Sequence, residues 1–232
     1  MKRSLLASVS VLALTLNATA ADLPRPVPVK APAVVAPAWS WTGFYVGING
    51  GGVWHRARAE ATELGGTHNS TVKATGATFG GQAGFNWQVE RFVLGIEADW
   101  NWVDASGTAG FPGFAPNFTF SSKLSSLATV RGRLGVTLSP TMIYATGGFA
   151  AGKVSNSVPV FNLGYPTDDK IKTGWTAGGG IEHMLTRNWT VKAEALYVDL
   201  GKSSVPGNGG PGYVSRFTNT AVVARGGVNF KW

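Results

Sequence analysis

Few residues of this chain could do chemistry. Its 232 residues contain three histidines, His55, His68 and His183, and no cysteine. Without cysteine there is no disulfide framework and no thiolate metal site. A hydrolase or acyltransferase of the serine type needs a histidine beside a serine and an acid. No motif ties a particular serine to His55, so no catalytic residue is assigned and an enzyme is not expected. The Gly147-Gly148 and Gly178-Gly179-Gly180 runs follow no strand-to-helix turn and are not phosphate loops. His55 and His68 could ligate haem from one long loop, helped by Phe111, Phe114, Phe118 and Tyr165 in others. Exposed loop histidines are usually unliganded, so no cofactor and no metal is expected. The remaining candidates are charges: Glu97 and Asp99, Arg131 and Arg133, Lys192 and Glu194, with Glu182 and Arg225. Members of each pair stand two residues apart, and residues two apart share one face of a strand. These are four acids and four bases, so the set is balanced.

Strands must position them. In Phe92–Trp102 the even positions Phe92, Leu94, Ile96, Ala98, Trp100 and Trp102 are apolar, and the odd positions run from Val93 and Gly95 to Glu97, Asp99 and Asn101. That is period two, the period of a strand. Aromatics end the apolar face, and acids sit on the other face at mid-strand. A membrane barrel would hold such aromatics in lipid and such acids in its lumen. The same alternation gives four hairpins: Phe44–Trp54 with Thr75–Trp87, Phe92–Trp102 with Lys123–Thr137, Met142–Lys153 with Thr173–Leu185, and Trp189–Leu200 with Arg216–Trp232. They begin 48, 50 and 47 residues apart. In the second hairpin Leu124, Ser126, Ala128, Val130, Gly132, Leu134 and Val136 are expected on the lipid face, opposite Thr129, Arg131 and Arg133.

The connections alternate between tight turns (Gln88–Arg91, Leu138–Thr141, Thr186–Asn188) and longer loops (His55–Ala74, Val103–Ser122, Val154–Lys172, Gly201–Ser215). Short turns at one end and long loops at the other predict an all-β, eight-stranded, antiparallel up-and-down transmembrane barrel, with periplasmic turns and four extracellular loops. Tryptophan favours the headgroup level, where its ring is half apolar and its N–H is wet. Trp41, Trp87, Trp189 and Trp232 fall at the turn end of this topology; Trp54, Trp100, Trp102 and Trp175 fall at the loop end. They predict two aromatic girdles.

Residues 1–20 read as a signal peptide: Lys2 and Arg3, the apolar Leu5–Leu16, then Ala18-Thr19-Ala20 before a cut after Ala20. Residues 21–40 read as a periplasmic linker, because Pro24, Pro26, Pro28, Pro32 and Pro37 favour extended polyproline geometry. The barrel is assigned to 41–232. The charge of +8 falls to +6 once Lys2 and Arg3 are removed, and its basic residues are scattered, so nucleic acid is not a partner. Only 14% of the chain is charged, well below the ~25% usual for soluble domains.

The chain resembles the small Gram-negative outer-membrane barrels of the outer-membrane immunogenic protein, or opacity-like, group. The resemblance rests on Trp41-Thr42-Gly43-Phe44-Tyr45-Val46-Gly47, Val130-Arg131-Gly132-Arg133-Leu134-Gly135, Tyr144-Ala145-Thr146-Gly147-Gly148, and Val191-Lys192-Ala193-Glu194 with Tyr197-Val198-Asp199-Leu200-Gly201. It implies an eight-stranded barrel in the outer membrane, exposed at the cell surface. The last strand, ending Val228, Phe230, Trp232 on one face, resembles the signal read by the barrel-assembly machinery. Expected partners are therefore that machinery, outer-membrane lipid and lipopolysaccharide, and a surface partner meeting the long loops. The lumen of such a barrel is just wide enough to be filled by side chains. Glu97, Asp99, Arg131, Arg133, Glu182, Lys192, Glu194 and Arg225 are expected to form a salt-bridged plug there. A narrow porin-like channel and ligand binding by the loops are the alternatives.

Overall fold

The computed structural model describes residues 39–63, 66–110, 119–157, 167–206 and 214–232. The segment read as a signal peptide and nearly all of the segment read as a linker lie outside these residues, as do Phe111, Phe114, Phe118 and Tyr165. Eight strands follow one another: β1 (Gly43–Glu63), β2 (Gly66–Val89), β3 (Phe92–Gly110), β4 (Thr119–Leu138), β5 (Thr141–Ser157), β6 (Thr167–Met184), β7 (Trp189–Pro206) and β8 (Val214–Lys231). Each pairs antiparallel with its neighbours, and β8 closes on β1 to complete a barrel. This is the expected architecture.

The wall alternates as the pleat demands. On β3, Glu97, Asp99, Asn101, Val103 and Ala105 are buried, and the residues between them are exposed. Phe92, Leu94, Ile96, Trp100 and Trp102 project outward, as do Phe79, Trp87, Leu134, Ile143, Phe149 and Ile181 on other strands. The outer surface is therefore an apolar belt suited to lipid. Two of the turns are two residues long and begin on a left-handed residue, Glu90 (φ 54°) and Ser139 (φ 61°), which matches the twist of paired strands.

Two expectations change. The strands are much longer than foreseen, 17 to 24 residues, whereas a bilayer needs only ~9–11. Most of the segments taken for loops are hairpin that continues past the membrane: backbone pairing needs no apolar outer face, and the inner face stays buried there with polar residues such as His55, Ser122, Asn156 and Asn219. Leu124 is fully buried in the lumen instead of facing lipid. Ser125 is an extra residue between Leu124↔Val154 and Ser126↔Lys153, and this bulge reverses which residues of β4 point inward. The ladder also has a gap: β6 and β7 pair only up to Trp175↔Asp199, although both strands run on beyond that point.

A closed barrel leaves no free edge within the bilayer, and such barrels resist detergent until heated. Unboiled protein is expected to migrate differently from boiled protein on a denaturing gel. Identical mobility would contradict a closed barrel.

Candidate functional site: a charged layer across the lumen

The eight charges predicted for the lumen are all buried, and the ladder sets their heights. Glu97 on β3 stands opposite Arg131 on β4, and Glu194 on β7 stands opposite Arg225 on β8. From these places the side chains cross the lumen. Arg131 reaches three carboxylates: Glu97, Asp99 at 3.0 Å and Glu194 at 3.0 Å. Arg225 binds Glu194 through Nε at 2.6 Å and Asp99 at 3.0 Å. Lys192 Nζ lies 2.9 Å from Glu97 and 3.3 Å from Glu194. Arg133 holds Glu182 at 2.6 Å and Glu97 at 3.4 Å. Each ion has an opposite charge in contact, which is the condition for keeping charge out of water.

Neutral residues complete the layer, and of these sequence reasoning singled out only Thr129, on the inner face of β4. The Tyr45 hydroxyl donates to Glu97 Oε2 (2.8 Å) and accepts from Arg133 Nη1 (2.8 Å). The Tyr144 hydroxyl donates to Glu194 (3.2 Å), and the Arg133 guanidinium lies 4.0 Å from the centre of the Tyr144 ring. Thr129 donates to Asp99, while Thr190 and Asn229 donate to Glu182. The signal was available: Tyr45 occupies an odd position of β1, between the outward Phe44 and Val46.

The two tyrosines reveal a repeat. Tyr45 on β1 pairs with Gly84 on β2, which pairs with Glu97 on β3, which pairs with Arg131 on β4. Tyr144 on β5 pairs with Gly180 on β6, which pairs with Glu194 on β7, which pairs with Arg225 on β8. In both rows the glycine leaves the space over which the tyrosine reaches its glutamate: a Cβ on Gly180 would stand 2.7 Å from the Tyr144 hydroxyl. The same four residue types thus recur in the same order in each half of the barrel.

Apolar layers flank the charges. Toward the turns, Val93, Met142, Tyr144 and Met184 pack with Trp41. Trp41 is therefore not a girdle residue. It is 1% exposed, and its backbone N–H donates to Gln88 Oε1 at 2.8 Å. It precedes β1, so strand alternation does not apply to it, and it folds inward. Trp54, Trp87, Trp100, Trp102, Trp175, Trp189 and Trp232 do face outward. Toward the loops, Val53, Val103, Leu124, Leu127, Leu196 and Leu200 belong to a second apolar cluster. Beyond it lies His55, which is also not where the sequence suggested. It is 2% exposed on the inner wall of β1, not in a loop. The His68 side chain lies outside the described residues.

His55 Nε2 is 3.1 Å from Ser122 Oγ. That serine donates to Asn156 Oδ1 at 2.8 Å. A nucleophilic serine needs a base held by an acid; among the described residues no acid pairs with His55, and both His55 and Ser122 are buried. Among the described residues no cluster of histidine, aspartate and glutamate is arranged to hold a metal.

The comparisons give this geometry its context. Residues 7–230 match the family described as outer membrane protein beta-barrel domain. The chain belongs to this family. It is 36% identical to the 31 kDa outer-membrane immunogenic protein of Brucella melitensis over 219 residues, 88% of this chain and 90% of that one. It is 30% identical to the 25 kDa outer-membrane immunogenic protein of Brucella abortus, over 88% of this chain and 87% of the relative. The 22 kDa outer membrane protein of Rhizobium leguminosarum is 36% identical over 72% of this chain and 68% of its own. Like its relatives, this outer membrane β-barrel resides in the outer membrane, so its apolar belt meets lipid. Val228 and Phe230 on the last strand, and Trp232 just after it, lie in that belt.

Proposed function

We propose that this protein is a surface-exposed outer-membrane barrel with a structural and interactive role, whose lumen is closed by side chains and conducts nothing. The observation that carries this reading is the charged layer. Its arginines and lysine engage carboxylates on opposite walls, with buried apolar residues toward both ends. An ion entering would have to displace buried ion pairs, at a cost of several kcal/mol per stranded charge. The tight packing supports a closed lumen over the narrow porin-like channel. What is left for interaction is the extracellular end of the barrel, where strands extend far past the membrane. The immunogenic relatives favour the same view, and a non-catalytic role fits the incomplete His55–Ser122 pair. Val228, Phe230 and Trp232 suit recognition by the assembly machinery, through an amphipathic last strand ending on aromatics.

Single-channel recording of refolded protein in a planar bilayer tests the lumen. The expected record is silent over the native barrel's range of voltages. Steady conductance steps would remove the closed-lumen reading and favour transport.

A further inference from the structure

We infer that the outer wall of β1 and β2, just beyond the aromatic girdle, is a binding site for the anionic headgroup of a glycolipid of the lipid A type in the outer leaflet. A groove of about 550 Å³ opens there and runs on over the adjoining β8 and β7. Its lining includes Trp54 and Tyr197, which belong to the outward aromatic belt, so the groove is continuous with the lipid-facing surface. Three cations line it: Arg56, Arg58 and Lys73. Arg56 and Arg58 are two apart on the outer face of β1, and Lys73 is the ladder partner of Arg56 on β2. All three are exposed. Among the described residues none of them forms an ion pair, whereas the exposed Lys123 stands 3.6 Å from Asp104. The groove also holds one carboxylate, Asp199, which accepts the backbone N–H of Gly201 at 2.8 Å and keeps its charge, so three cations against one anion leave the lining with a net charge of +2.

Position selects the occupant. The groove faces sideways from the wall, not along the barrel axis, and its lower part is aromatic. A ligand reaching it from the membrane plane would bring acyl chains against Trp54 and Tyr197 and a negatively charged headgroup up to the cations. A lipid of the outer leaflet does both. Arginine pairs recognise phosphate or carboxylate oxygens through forked hydrogen bonds, and Lys73 adds a point charge. Threonine hydroxyls of the wall, such as Thr75 and Thr218, supply donors for sugar oxygens. This inference is independent of whether the lumen conducts.

The test is a titration of lipid A into refolded protein in zwitterionic micelles, followed by tryptophan fluorescence, with phosphatidylglycerol as the comparison lipid. The triple variant Arg56→Gln, Arg58→Gln, Lys73→Gln is set beside Lys123→Gln, with the heat-dependent gel shift verifying that each has folded. Each cation near an anionic headgroup contributes roughly fivefold, so the triple variant is expected to bind lipid A about a hundredfold more weakly. Lys123→Gln is expected to bind as the parent does, and phosphatidylglycerol at least about tenfold more weakly than lipid A. Equal binding of lipid A by the folded triple variant would overturn the site. Equal affinity for phosphatidylglycerol and lipid A would overturn the glycolipid assignment, leaving only a general attraction to negative surfaces.

Discussion

Arg131→Ala should lower the stability of the folded barrel by about 3–5 kcal/mol, the cost of breaking a buried pair by removing one partner. The guanidinium reaches Glu97, Asp99 and Glu194 at once, and all four side chains are buried. Its removal leaves the layer with one uncompensated negative charge. Glu97→Ala leaves one uncompensated positive charge and should cost a similar amount. The double variant restores neutrality, so its cost should fall short of the summed singles by about 1–3 kcal/mol. Urea unfolding in lipid vesicles, read by the loss of the heat-dependent gel shift, measures all three. Strict additivity would show that the two residues do not interact. Arg131→Lys offers a graded check. It keeps the charge but not the fork, so it should fall between the parent and Arg131→Ala.

The second large effect is expected at Gly84. Its missing side chain is the space that Tyr45 crosses to reach Glu97, and an added Cβ would meet the tyrosine ring and stand 2.6 Å from the Ile96 carbonyl oxygen. The ring can swing away but the backbone cannot. Gly84→Leu therefore combines overpacking with loss of a hydrogen bond to a buried carboxylate, on the order of 3–6 kcal/mol together. The expected outcome is protein that accumulates without acquiring the folded gel mobility. Gly81→Leu on the same strand is the contrast. Gly81 faces outward, and its nearest neighbour to an added Cβ is 3.7 Å away. It should fold as the parent does. If both variants fold equally well, the tyrosine is not what requires the glycine.

Much of this was legible because a membrane strand writes its two faces as alternate letters. Phe92–Trp102 shows both the wall and the acids it turns inward. The eight charges could be grouped because alternation selects a face for each strand separately. Depth was less legible. That Glu97 stands opposite Arg131 follows from turn geometry, which fixes register, not from the letters of either strand. Leu124 was misplaced because a bulge inserts one residue and leaves no mark in a serine-rich stretch. Trp41 was misplaced because it lies before the first strand, where no period operates. Tyr45 and Tyr144 were overlooked since their role depends on glycines in other strands, a relation visible only across the ladder. His55 was put in a loop because the strand outruns the apolar alternation by which it was recognised.

The repeated row of tyrosine, glycine, glutamate and arginine has a consequence for assembly. The first half of the barrel, β1 to β4, carries Glu97, Asp99, Arg131 and Arg133; the second half carries Glu182, Lys192, Glu194 and Arg225. Several of the contacts run from one half to the other: Arg131 to Glu194, Arg133 to Glu182, Lys192 to Glu97 and Arg225 to Asp99. An incomplete sheet therefore holds each of these ions with only part of its final company, and it must keep them hydrated. Only when β8 meets β1 in the right register do both sets arrive at one depth and release their water together. A slip of a single residue would turn every charge of a strand toward lipid. The ion network thus acts as a closing test on the nascent barrel, in which each half vouches for the alignment of the other.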